Sequence, residues 1–149
     1  MLRFLHWVGF AVWLGAQLTF MVWGPLTKSA SLEAWAHTWK TLAKVQGFVV
    51  APAAAVATVT GIMLMMQMVA AHAEPSAGVW AMAAFGLLAG VLAIAVVTPL
   101  ANRMAAWARA SLEAGAQDPR AERTRVRLAW AGALAGALIL AALYAGVGA

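Results

Sequence analysis

Four long apolar stretches dominate this chain, at residues 4–23, 45–68, 79–100 and 128–147. Each reaches the roughly 20 predominantly apolar residues that a helix needs to cross a bilayer core. No Asp, Glu, Lys or Arg falls inside any of them. In hydrocarbon every backbone polar group must be paired internally, which leaves helices or closed barrels. Continuous runs of this length predict helices. The expected fold class is therefore all-α, an integral membrane four-helix bundle in one domain over residues 1–149. The 64% hydrophobic content and mean hydropathy of +0.83 agree. A helix on a soluble core would carry a polar stripe, and these stretches have none.

Charge gives the expected orientation. Lys28, Lys40 and Lys44 follow the first stretch; Arg103, Arg109, Arg120, Arg123, Arg125 and Arg127 follow the third. Four antiparallel spans put these two connections on one side. The other side has Arg3 and Glu74. Cytoplasmic connections are enriched in Lys and Arg. Both termini are thus expected on the non-cytoplasmic side, with the chain in a bacterial inner membrane. The net charge of +5 reads as a topology signal that meets anionic headgroups. No basic groove with interleaved aromatics points to nucleic acid. The first stretch is too long and Trp-rich for a signal peptide and lacks a small-x-small cleavage pattern. The chain contains no cysteine, which excludes disulfides, thiolate metal sites and covalent c-type haem.

Along the chain, Gly24-Pro25 is expected to end the first helix. Residues 31–44 read as an amphipathic helix in the membrane interface, with Leu32, Trp35, Trp39 and Leu42 as its apolar stripe. Pro52 is expected to kink the second span. The third helix should run to about Leu112, break over Gly115–Asp118, and restart at Asp118-Pro119. Trp7 and Trp80 mark one interface; Trp23, Trp107 and Trp130 mark the other. Ala53, Ala57 and Gly61, then Gly86 and Gly90, then Gly132 and Gly136, recur at four-residue spacing, which lets helices approach closely. So does the run Ala129, Ala133, Ala137, Ala141 and Ala145. That run leaves small surface for a homodimer or a larger membrane complex. The lipid bilayer is the other expected partner.

The first helix carries the candidate chemistry. His6, Phe10, Trp13, Gln17 and Phe20 fall near one face at helical spacing. Polar or ionisable residues within a span usually face the bundle interior and mark a site. At the depth of His6 should lie Met63, Met65, Met66 and Met68, the loop residue His72, and Tyr144. Imidazole suits haem iron and copper, and thioether sulfur suits Cu(I). Two ligand sets follow. One is a b-type haem with cofactor-binding residues His6, Trp13, Gln17 and His72. The other is a copper site of His6, Met63 and Met66. A third reading is a cofactor-free structural or assembly subunit. No catalytic triad, paired carboxylates or phosphate loop appears, and all five acids lie outside the spans.

The first helix, F-L-H-W-V-G-F-A-V-W-L-G-A-Q-L-T-F, resembles the opening helix of the CopD-like group of small membrane proteins. The shared features are His6, Gly9, Trp13, Gly15 and Phe20. The second, V-V-A-P-A-A-A-V-A-T-V-T-G-I-M-L, is similar to the Pro-Ala…Thr-Gly helix of the HemJ-like membrane protoporphyrinogen oxidases. The likeness covers about the first 70 residues. It implies a four-helix bundle in haem or copper handling, with His6 as the matching haem ligand. HemJ-like proteins carry a Lys and further His or Arg in later helices. The third span here has neither Lys nor His, so porphyrinogen oxidation does not follow.

Overall fold

The computed structural model describes residues 1–26 and 30–147; Lys28 lies outside them. Four helices make up the fold: α1 (Leu2–Leu26), α2 (Leu32–Ala70), α3 (Ala77–Ala114) and α4 (Pro119–Val147). All four are long and apolar enough to cross a membrane. Neighbours run antiparallel, each helix packing on the next and α4 returning to α1. The described part of α1 ends at Leu26, one residue after Gly24-Pro25.

The buried core is thin and built from small residues. Trp13, Val50, Ala53, Ala54, Ala57, Ala89, Ala93 and Ile139 form its centre. Large side chains point outward instead: Trp7, Leu88, Trp130, Leu134 and Tyr144 are each more than half exposed. An apolar surface this extensive is unstable in water. It is satisfied by lipid, and the chain is a membrane protein.

Small residues set the helix spacing. A Cβ on Gly9 would come within 3.0 Å of the Ala53 carbonyl oxygen and the Ala57 nitrogen, so α1 lies directly on the backbone of α2. Gly132 and Gly136 receive Gln17 and Met21 of α1. Gly90 of α3 abuts the Thr58 hydroxyl of α2. Ala129, Ala133 and Ala137 face outward, so the small residues of α4 divide between the bundle and its surface.

Helices α2 and α3 have 39 and 38 residues. At 1.5 Å per residue each is roughly 57 Å long, about twice a hydrocarbon core. Both overshoot at the end that carries the Lys and Arg side chains, here called the basic end. There the segment 31–44 differs from its expected interfacial placement. It is the continuous first part of α2, begun at Leu32 by the Ser31 cap. Its stripe of Trp35, Trp39 and Leu42 is buried against Met104 and Ala108 of α3 and Ala121 of α4. The stripe is covered by protein because the last part of α3 lies alongside it.

Each long helix contains one widened turn, Gln46–Val50 in α2 and Ala93–Val97 in α3. A proline follows two residues later in both, Pro52 and Pro99. Proline has no N–H and its ring crowds the carbonyl four residues back. An i→i−5 turn just upstream absorbs that conflict. Ala51 N–H accordingly donates to the Gln46 carbonyl and Thr98 N–H to the Ala93 carbonyl.

The α3–α4 connection is short and well capped. Gly115 takes the left-handed conformation (φ 69°) that ends α3. Asp118 accepts from the Arg120 backbone N–H at 2.8 Å and from its guanidinium. The Arg120 side-chain hydrogen bond, then its backbone N–H, hold the Asp118 carboxyl below its ordinary value of 3.8. A depressed folded-state pKa gives stability that is present above the unfolded value and lost as pH falls through the folded one. The start of α4 should therefore loosen only below pH 3.8. An NMR titration of the Arg120 amide with its midpoint at or above 3.8 would contradict this.

Candidate functional site

His6 sits one turn from the start of α1, half-buried against α2. Its Nδ1 lies 2.8 Å from the Ala57 carbonyl oxygen and 3.3 Å from Thr60 Oγ1. A carbonyl only accepts, so Nδ1 carries the proton and donates. The Thr60 hydroxyl is turned to the Val56 carbonyl, 2.5 Å away. Gly61 makes room for the ring: a Cβ there would be 3.1 Å from His6 Cε1. With the Nδ1 proton so engaged, Nε2 is the ring nitrogen left for a ligand, and it makes no hydrogen bond among the described residues. A histidine that binds a metal almost always donates its other ring N–H to a carbonyl or carboxylate. Trp7 meets the His6 ring edge-on at 6.4 Å between centroids, and Phe10 meets Trp7 in the same way.

The other candidates fall elsewhere. Trp13 is 2% exposed, in the centre of the core, with its Nε1 unpartnered among the described residues. Gln17 is buried and its Nε2 donates to the Gly132 carbonyl at 2.7 Å, tying α1 to α4. Met63 and Met66 are exposed. At 100° per residue they lie on α2 away from the face of Ala57, Thr60 and Gly61 that holds His6. Met65 and Met68 are less exposed and fall nearer that face. Tyr144 is exposed on α4. No group of three or more His, Cys, Asp or Glu side chains converges among the described residues.

His72 is exposed and has the one positive φ of a non-glycine residue among those described, 54°. It terminates α2: His72 N–H donates to the Val69 carbonyl and Ala73 N–H to the Met68 carbonyl. This is the cap position where glycine is favoured. His72→Gly should therefore raise thermal stability by up to about 1 kcal/mol, the left-handed penalty of roughly 1–2 kcal/mol less the entropic cost of glycine of roughly 0.5–1 kcal/mol. A loss of stability would contradict the account of His72 as a strained helix cap.

Sequence reading missed the polar link at the basic end of the core. Gln46, 1% exposed, donates through Nε2 to Thr98 Oγ1 at 3.1 Å and to the Ala93 carbonyl at 3.4 Å. Thr98 Oγ1 donates to the same carbonyl at 2.9 Å. Gln46 Oε1 has no partner among the described residues. The two widened turns are thus joined by one side chain. A short repeat was the available signal: Val49-Val50-Ala51-Pro52 and Val96-Val97-Thr98-Pro99.

No family model, curated protein or solved structure matches this chain. Its class rests on its own geometry, a bundle of four antiparallel helices able to cross a membrane, two of them extended at the basic end.

Proposed function

We propose that this protein lies in a bacterial inner membrane with its basic end in the cytoplasm, and that His6 holds a b-type haem near the opposite face. Its role would be electron transfer or haem handling. One observation carries the reading: His6 Nδ1 is engaged by the Ala57 carbonyl at 2.8 Å. The proton is thereby fixed on that nitrogen, and Nε2 is left as a ligand in a set orientation. The lone His6 fits one axial position, and bound haem would supply a one-electron couple. The Trp7 ring beside His6, with Phe10 packed on Trp7, supplies an apolar surround of the kind that shields a redox centre from water. The resemblance of residues 1–70 to CopD-like and HemJ-like helices supports the same reading.

Trp13 and Gln17 serve packing in this account, and His72 serves as a helix cap. Copper held by His6, Met63 and Met66 has less support, because both sulfurs lie away from the His6 face of α2. A cofactor-free assembly subunit is the second reading, favoured by the helix-to-helix hydrogen bonds of Gln17 and Gln46. Haem content of protein purified from haem-replete cells separates the two. The leading reading predicts a defined haem-to-chain ratio that survives chromatography; its absence from folded protein supports the second. The side is tested by single cysteines at Ala73 and Ala116 in this cysteine-free chain. Only the first should react with an impermeant thiol reagent from outside.

A further inference from the structure

The cations of the basic end are not equivalent. Arg109, Arg120 and Arg125 each pair with a carboxylate, of Glu113, Asp118 and Glu122 respectively. Arg103, Arg123 and Arg127 are exposed and make no hydrogen bond or ion pair among the described residues. Their positions converge. Arg120 stacks on Trp107, 4.2 Å from its guanidinium carbon to the ring centroid, and so fixes the level at which α4 passes α3. From that contact Arg103 is one turn toward the membrane on α3, and Arg123 and Arg127 are one and two turns toward it on α4. Helical spacing puts all three along the outer edge of the α3–α4 seam. Immediately below them the chain turns apolar: Val96 on α3, and Trp130 and Leu134 on α4, are exposed.

We propose that this seam is a binding site for one anionic phospholipid, its phosphodiester held by Arg103, Arg123 and Arg127 and its acyl chains lying along Val96, Trp130 and Leu134. Guanidinium groups recognise phosphate oxygens through paired N–H donors. Each basic side chain near a membrane surface adds about 1 kcal/mol toward an anionic lipid. The acyl contacts select a lipid over free phosphate. The site does not depend on the haem reading.

The test is lipid binding to the full chain in neutral detergent, followed by native mass spectrometry with phosphatidylglycerol and phosphatidylcholine. Wild-type protein should bind phosphatidylglycerol at least tenfold more tightly. R103Q/R123Q/R127Q should lose that preference, and single R127Q, at an exposed position, should lose part of it. R3Q/K40Q/K44Q removes the same charge elsewhere and should keep the preference within twofold. Equal affinity for both lipids in the wild type would overturn the proposal. So would equal losses in the two triple variants, since charge alone would then explain binding. Displacement by equimolar inorganic phosphate would overturn the assignment to a lipid.

Discussion

His6→Ala is expected to give a folded protein that has lost its haem band. The substitution removes the proposed Nε2 ligand together with the Nδ1 bond to the Ala57 carbonyl. A typical hydrogen bond contributes about 1 kcal/mol net, a small part of the stability of a four-helix bundle. Helical circular dichroism should therefore persist while the Soret absorption disappears. Added imidazole, which fits the space the side chain leaves beside Gly61, should restore part of it. M63L/M66L should leave the band unchanged, because those side chains are turned away from His6. A band that survives in His6→Ala would remove this residue from the site.

Gly90→Ala should be the most damaging of the single-methyl additions within α3. The added Cβ would overlap the Thr58 hydroxyl, and Thr is stiff at χ1, so the side chain cannot swing away freely. Overpacking of this kind costs about 1–3 kcal/mol. Gly86→Ala meets nothing within 4 Å and should stabilise α3 by about 0.5–1 kcal/mol, through the lower helix propensity of glycine. Thr58→Ala also removes a buried hydroxyl that has no partner among the described residues. The double variant T58A/G90A should recover most of the loss, because the two sites are in contact. Thermal unfolding in detergent reads all four. Purely additive changes would mean that α2 and α3 are not in contact at this point.

The all-helical architecture was legible because membrane-spanning stretches are long, apolar and free of charge. The break between α3 and α4 was legible because Gly115, Asp118 and Pro119 each act on the backbone locally. The segment 31–44 was not. An amphipathic helix beside a membrane looks the same in sequence whether its stripe meets lipid or protein. Only the extension of α3 to Ala114 decides that Trp35 and Trp39 are buried in the fold. Gly24-Pro25 carries a strong breaking signal, and α1 is helical through the pair to Leu26, one residue beyond it. Among the site candidates, spacing put His6, Trp13 and Gln17 on one face but could not assign their partners. Those depend on which neighbour lies closest at each depth: Ala57 for His6, the core for Trp13, Gly132 for Gln17. The Gln46–Thr98 link escaped notice because a glutamine at the end of a span resembles an interfacial residue.

The central claim is that His6 ligates haem. Its most direct test is the absorption spectrum of wild-type protein from haem-replete cells, recorded oxidised and then reduced with dithionite. The account predicts a Soret peak, with α and β bands appearing on reduction. A colourless spectrum from protein whose helices are intact would contradict it.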